Sequence, residues 1–297
     1  MGRDMQAEAN PTGEGRLVIV PTPIGNLGDM TSRALDALRG ADTVCAEDTR
    51  VTGKLLAAFG IERRLERLDE ALIGSRAEGI VRRVLAGEVI AYCSDAGMPG
   101  VSDPGLRLVA AAREAAARVE VLPGPTAAAT AYVASGSANA CFYFGGFFPR
   151  KAAEQRSVLE SLRPLDAALI FYESPRRVAS ALDAVVEVMP LRRVTVCREL
   201  TKLHEEVVCG TACEVRDEFA RRDEEGGVKG EIVLVIDGPG EAERCHDAQE
   251  AAGSAAERAA ELIGAGELSR KDIVKRLRKE FGVSRNEAYD IVMQAGR

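Results

Sequence analysis

Short apolar runs alternate with amphipathic stretches along the chain from residue 17 onward. Residues 17–20 (Leu-Val-Ile-Val) are continuously apolar, as a strand buried on both faces of a parallel sheet requires. The pattern then predicts a helix over 31–39 stopped by Gly40, a strand over 43–46, and a helix running to Phe59 with Gly60 behind it. Ser75 and Glu78 have capping-box spacing ahead of Ile80, Val81, Val84 and Leu85, which recur on one helical face. A strand over 89–93, an Ala-rich helix, a strand over 119–122 and a second small-residue helix continue the order. This β–α repetition specifies an open parallel sheet with helices on both faces.

The pattern changes after Gly136-Ser137. Residues 141–148 are aromatic and strand-like, 152–162 helical, and 168–172 a strand, after which Ser174 and Pro175 read as the N-cap and first position of a helix. Runs at 194–198 and 205–209 leave little room for a crossover helix, so they predict antiparallel pairing, and 232–236 closes the region. The reading is therefore α/β with two α/β domains: a lead-in over 1–15, a parallel domain over 16–136 and a mixed domain over 137–240. An Ala- and Glu-rich segment over 241–267, either linker or solvated helix, leads to a small C-terminal helical extension over 268–297. In that extension Ser269 with Asp272 and Ser284 with Glu287 cap two helices, and the short turn between them gives a helix-turn-helix-like hairpin.

Composition narrows the class. Hydrophobic residues are 46% and charged residues 29% of the 297, with no Trp and 4% aromatics. The longest apolar runs are strand-sized, too short to span a bilayer, and the polar first fifteen residues lack a signal-peptide core and read as a disordered lead-in. Seven cysteines fall at irregular spacing, three of them (Cys45, Cys93, Cys197) inside strand-like runs where a thiol acts as a small core residue. Cys209, Cys213 and His204 alone suggest zinc, and no second Cys pair completes a site, so the plain reading is a reduced, cytoplasmic protein. A net charge of −7 argues against nucleic acid until its distribution is read. Residues 239–268 hold seven acids and two bases, whereas 269–297 hold eight bases, Lys275 and Arg278 among them, and four acids. Local fields of this kind govern phosphate attraction more than the total does.

Three loops at expected strand ends concentrate Gly, Pro and short polar residues. They are Pro21-Thr22-Pro23-Ile24-Gly25-Asn26-Leu27-Gly28-Asp29, the twelve residues from Ser94-Asp95-Ala96-Gly97 to Asp103-Pro104-Gly105, and Pro123-Gly124-Pro125-Thr126-Ala127-Ala128. Open parallel sheets bind ligands at these ends, and glycines allow close backbone approach. Neither a dinucleotide-binding nor a P-loop pattern is present. Acidic, proline-rich loops suit a cofactor without phosphates, with Asp95 and Asp103 available to ribose hydroxyls, a sulfonium or an ammonium. Glu173, ahead of Arg176 and Arg177, either accepts a proton or orients a hydroxyl, or simply complements a helix N-terminus. Glu47-Asp48-Thr49-Arg50 divides likewise between capping and site.

At these residues the chain resembles a known family. The motifs over 20–29, Ala46-Glu-Asp-Thr-Arg50, 94–105, Phe171-Tyr-Glu-Ser-Pro-Arg176, Arg198-Glu-Leu-Thr-Lys-Leu-His-Glu205 and Lys229-Gly-Glu231 are similar to those of the 16S ribosomal RNA 2′-O-ribose cytidine methyltransferases, within the tetrapyrrole-methylase-like superfamily. The resemblance runs in order over about 16–238, and the hairpin resembles that family's helical extension. It implies S-adenosyl-L-methionine in a cleft between two domains, lined by Pro23, Asp95, Ala96, Gly97, Val101, Thr126, Ala127 and Tyr172. It also implies a homodimer that methylates a decoding-centre cytidine of 16S rRNA within the assembled 30S subunit. The chain departs from the family at Met98, where Thr is usual, at Arg176, where His is common, and over Leu68-Asp69-Glu70-Ala71. Methyl transfer from a sulfonium needs no metal but benefits from a base. With only two histidines, Asp48 and Glu173 lead the candidates, then Lys229, with Arg50, Arg176, Arg177, Lys275 and Arg278 as RNA contacts. The rival readings are a tetrapyrrole C-methyltransferase, which has no need of the basic hairpin, and a non-catalytic ribosome-assembly factor, which binds no cofactor.

Overall fold

The computed structural model describes residues 14–266 and 268–295. The lead-in expected over 1–15 lies almost entirely outside the described residues. The first lobe is a sheet of five parallel strands: β1 (Arg16–Ile19), β2 (Thr43–Ala46), β3 (Arg64–Arg67), β4 (Val89–Cys93) and β5 (Val119–Val121), in the order β3-β2-β4-β1-β5. Helices α1 (Ser32–Gly40), α2 (Thr49–Ala58), α3 (Glu70–Leu85) and α4 (Leu106–Glu114) connect them. Two apolar clusters lie against this sheet, one around Leu17, Ile90 and Tyr92 and one around Val18, Val44 and Ala91. Adjacent residues of β1 and β4 thus feed opposite faces. That is why these strands carry no polar alternation.

Strand β3 escaped the sequence reading because three of the four residues of Arg64-Leu-Glu-Arg67 are charged. It is an edge strand, and charged residues there block pairing with other chains. The cap expected at Ser75 is also displaced. Asp69 caps α3 by accepting from the Leu72 amide at 2.9 Å, and Ser75 lies inside the helix with its hydroxyl donating to the Leu72 carbonyl.

The second sheet is mixed. Strands β6 (Phe142–Phe147), β7 (Ala168–Glu173), β8 (Arg193–Arg198), β9 (Glu206–Thr211) and β10 (Ile232–Ile236) lie in the order β6-β7-β10-β8-β9, with only β6 and β7 parallel. One face is covered by α6 (Ala152–Leu162), α7 (Val178–Val188) and α8 (Ala212–Glu224). The other face receives α5 (Ala127–Ser135), through Ala128 and Ala131 against Ile170, Cys197, Val233 and Val235. So α5, which follows β5 in the chain and was expected within the first domain, packs on the second sheet. Its small residues permit close helix–sheet approach.

Ser174 and Pro175 do not open α7 as expected. Residues 174–177 form a turn closed by the Arg177 amide on the Ser174 carbonyl at 2.9 Å, and the helix begins at Val178. Of the two readings of 241–267, linker or solvated helix, residues 241–265 take the second. They form one continuous helix, α9 (Glu241–Ala265), whose first turns dock on the second lobe through Glu243 and Arg244. Its far end packs with α10 (Arg270–Phe281) and α11 (Arg285–Ala295) around Ala255, Ala259, Ile273, Leu277, Ala288 and Val292. The C-terminal hairpin therefore belongs to a three-helix unit. Its caps are Ser269, Gly282 with φ +69°, and the Ser284–Glu287 pair.

Candidate active site

The three Gly/Pro loops meet at the carboxyl edge of the first sheet. Thr22 and Gly97 exchange backbone hydrogen bonds of 2.9 and 3.0 Å, tying the loop after β1 to the loop after β4. Gly97 has φ +79°, and a Cβ there would meet Ile24 at 3.3 Å. Gly124 packs on the Pro21 ring so closely that a Cβ would lie 2.3 Å from Pro21 Cγ. Only glycine satisfies the first position without strain and the second without collision.

The second lobe meets these loops from the opposite side. Because β10 runs antiparallel to β7 and β8, the end of β7, the start of β10 and the turn after β8 share one edge. In that turn Glu199 and Thr201 hold φ +51° and +67°, values that side chains with a Cβ adopt at a cost. A Cβ on Gly25 of the first lobe would come within 2.5 Å of Lys202 Cγ, so the lobes touch here.

Between the lobes lies a cavity of about 360 Å³. Ala96, Gly97, Val101, Thr126, Ala127 and Tyr172, all expected there, line it. Asp103, offered from sequence as a carboxylate for the ligand, lines it as well, and Ile24, Met98, Phe147, Leu200 and the residues opening β10 line it without having been assigned from sequence. Pro23 lies outside the lining, next in sequence to the lining residue Ile24. Asp95 is exposed outside the lining, where its Oδ1 accepts from the Asp48 amide at 3.0 Å and its own amide reaches Glu47. It knits the loops after β2 and β4 together.

The candidate bases separate sharply. Asp48 is the N-cap of α2, accepting from the Arg50 amide at 2.8 Å and paired with the Arg50 guanidinium, which holds its carboxyl far below the usual range. It does not line the cavity, and Arg50 points to solvent. Lys229 is exposed beside the lining residue Gly230, with its carbonyl accepting from Arg198. Glu173 does line the cavity, and its side chain is fully buried. Its Oε1 accepts from the Ser174 amide and from Arg177, each at 2.5 Å, while Oε2 has no partner. Burial raises its pKa against the pull of the Ser174 amide and Arg177. Arg176 is exposed at the same edge. Lys275 and Arg278 are exposed on α10, outside the lining.

Asp103 is a second, half-buried carboxyl in the wall, and the exposed Glu231 a third. Burial, with the nearby Glu47 charge, pushes it from 3.8 to about 6. Burial also holds the thiols of Cys45, Cys93 and Cys197 up at about 12, so these core cysteines stay protonated. Among the described residues no lysine or arginine lines the cavity. Its chemistry is apolar surface, exposed backbone and carboxylates, which suits a cationic ligand that carries no phosphate. Cys209, Cys213 and His204 do not assemble. Among the described residues the group with metal-compatible spacing is His246, Asp247 and Glu250 on α9, away from the cavity. No described helix is long and apolar enough to cross a membrane.

Comparison with known proteins agrees with this geometry. Residues 16–216 match the model of the tetrapyrrole (corrin/porphyrin) methylases. Ribosomal RNA small subunit methyltransferase I of Halalkalibacterium halodurans is 38% identical over 95% of this chain and 96% of its own length. The protein of the same name from Bacillus subtilis is 39% identical over 93% of each chain. Among solved structures, diphthine synthase superposes with a TM-score of 0.58 at 15% identity, over 75% of this chain and 90% of its own. Uroporphyrin-III-C-methyltransferase from Thermus thermophilus superposes with a TM-score of 0.53 at 21% identity, over 75% and 94%. The two-lobed fold, the motifs and the full-length relatives converge: this chain belongs to the tetrapyrrole (corrin/porphyrin) methylases and, within them, to the ribosomal RNA small subunit methyltransferase I family.

Proposed function

We propose that this protein methylates the 2′-oxygen of a cytidine in 16S rRNA, with S-adenosyl-L-methionine as donor and the assembled 30S subunit as substrate. The observation that carries the reading is the interlobe cavity, with three carboxylate residues (Asp103, Glu173 and Glu231) in its lining and no cationic side chain lining it among the described residues. The relatives' printed name, which specifies small-subunit ribosomal RNA, supports the choice of acceptor over a tetrapyrrole.

The donor supplies a methyl group made electrophilic by a positively charged sulfur. Gly97, Ala96, Thr126 and Ala127 present backbone groups to it, while Ile24, Val101 and Leu200 give apolar cover. Asp103 offers negative charge once ionised. Glu173 is the proposed proton acceptor for the 2′-hydroxyl, since its Oε2 is unpartnered and burial raises its pKa above that of an ordinary carboxylate. Arg177 then holds Glu173 in place through Oε1 and is a positioning residue, not an RNA contact. Exclusion of water by the two lobes strengthens each of these interactions.

The basic face of α10, with Lys275 and Arg278, is proposed to bind rRNA phosphates, and α9 holds that face at a fixed distance from the cavity. A homodimer is proposed from the family resemblance. The test is methylation of 30S subunits, naked 16S rRNA and uroporphyrinogen by the purified protein, with the product nucleotide mapped. Incorporation at a cytidine 2′-oxygen in 30S is the expected result. Transfer to uroporphyrinogen, or no binding of the donor, would refute the reading.

A further inference from the structure

Phe147 stands out among the few aromatics of this chain: it lines the cavity, yet it is 64% exposed. The backbone places it there deliberately. Along the β6–β7 pair the register runs Phe144↔Ile170 and then Phe147↔Tyr172, so one extra residue is accommodated in β6. Gly145 is pressed against Phe171, where a Cβ would lie 2.2 Å from the ring, and Gly146 takes φ +70° beside Ser102 of the first lobe. Such a bulge re-aims the side chain that follows it. The Phe147 ring meets Tyr172 edge-on, with centroids 5.6 Å apart and planes at 75°, which fixes its orientation while leaving most of it open.

Two cations follow the same sheet edge. β6 and β7 are parallel, so the segments leaving them, with Arg150 and Arg176, emerge at the same edge. Both arginines are exposed, and among the described residues neither pairs with a carboxylate. An oriented aromatic face beside free guanidiniums at the mouth of a recessed cavity is the arrangement that reads unpaired nucleotides, through stacking and phosphate contacts. A 2′-oxygen can enter such a cavity only if its nucleotide is splayed from its neighbours, and a splayed base needs a new stacking partner.

We propose that Phe147 is the platform on which the target cytosine stacks, with Arg150 and Arg176 holding the adjacent phosphates. The proposal rests on the reading of the cavity as a site of methyl transfer to RNA. It is tested with unmethylated 30S subunits and S-adenosylmethionine on Phe147→Ala, Phe147→Leu and Phe147→Trp. Donor affinity is measured separately by calorimetry. Stacking on one base predicts that kcat/KM for 30S falls on the order of ten- to a hundredfold in the Ala and Leu variants. The Trp variant is expected to keep most activity, and donor affinity to stay unchanged throughout. Wild-type activity in Phe147→Ala would overturn the platform. So would full activity in Phe147→Leu, which would make the residue a mere apolar plug, or a parallel loss of donor affinity, which would make it a cofactor wall. A shift in oligomeric state on Phe147→Ala, seen by sedimentation, would assign it to a subunit contact instead. A wild-type protein that binds the donor but leaves every 30S preparation unmethylated would overturn the functional reading itself, and the platform with it.

Discussion

Replacing Glu243 by leucine tests how the C-terminal unit is tied to the catalytic lobes. Arg192 is 1% exposed and Glu243 3%. The guanidinium donates from Nε to Glu243 Oε2 at 2.9 Å and from Nη2 to Oε1 at 3.2 Å, while Nη1 has no partner. Arg163 adds a second cation at 3.4 Å from Oε1. Glu243→Leu therefore leaves a buried cation with a single acceptor, the Arg163 carbonyl. Breaking one side of such a pair costs about 3–5 kcal/mol. Since a domain of this kind is stable by roughly 5–15 kcal/mol, that is about a fifth of the total at the least. At roughly 2–4 °C per kcal/mol the second-lobe melting transition is expected to fall by about 10 °C. Calorimetry and urea titration measure it. The double variant Arg192→Met with Glu243→Leu removes both charges and is expected to recover much of the loss, because apolar replacement of a buried pair is often neutral or better. A single variant as stable as the parent, or a double variant no better than the single, would refute the argument.

Glu173→Gln keeps the shape of the wall but removes the proton acceptor, and kcat is expected to drop about 10²- to 10⁴-fold with donor affinity nearly unchanged. Because folding raises the Glu173 pKa, activity is expected to fade on acidification at a higher pH than for an ordinary carboxylate. The same shift makes its contribution to stability fall as pH rises from the unfolded value through the folded one. Donor affinity is expected to weaken as pH drops through about 6, where Asp103 gains its proton, and Asp103→Asn should flatten that profile in calorimetric titrations. Gly124→Ala forces a side chain into the Pro21 ring, so loss of donor binding with a folded circular-dichroism spectrum is expected. Lys275→Gln with Arg278→Gln is expected to weaken 30S binding and shallow its salt dependence by about two contacts, without touching donor affinity.

The linear chain by itself determined the alternation of strands and helices, the antiparallel β8–β9 pair and the caps of α10 and α11. Each of these depends on neighbours within a few residues, through buried runs, period and local hydrogen bonds. The convergence of three turns was readable too, because Gly and Pro mark strand ends whatever the distant packing. What the tertiary structure alone decided is which polar groups share a space. Asp48 and Glu173 look alike in sequence, each an acid at a strand end. Packing made one an exposed helix cap neutralised by Arg50 and the other a buried carboxyl with a free oxygen. The same holds for α5, drawn across to the second sheet, and for the 241–265 segment. That segment's composition allows linker or solvated helix alike, and only packing shows a helix anchored by one buried ion pair. Burial and charge pairing are set by contacts far apart in the chain, and local pattern carries no information about them.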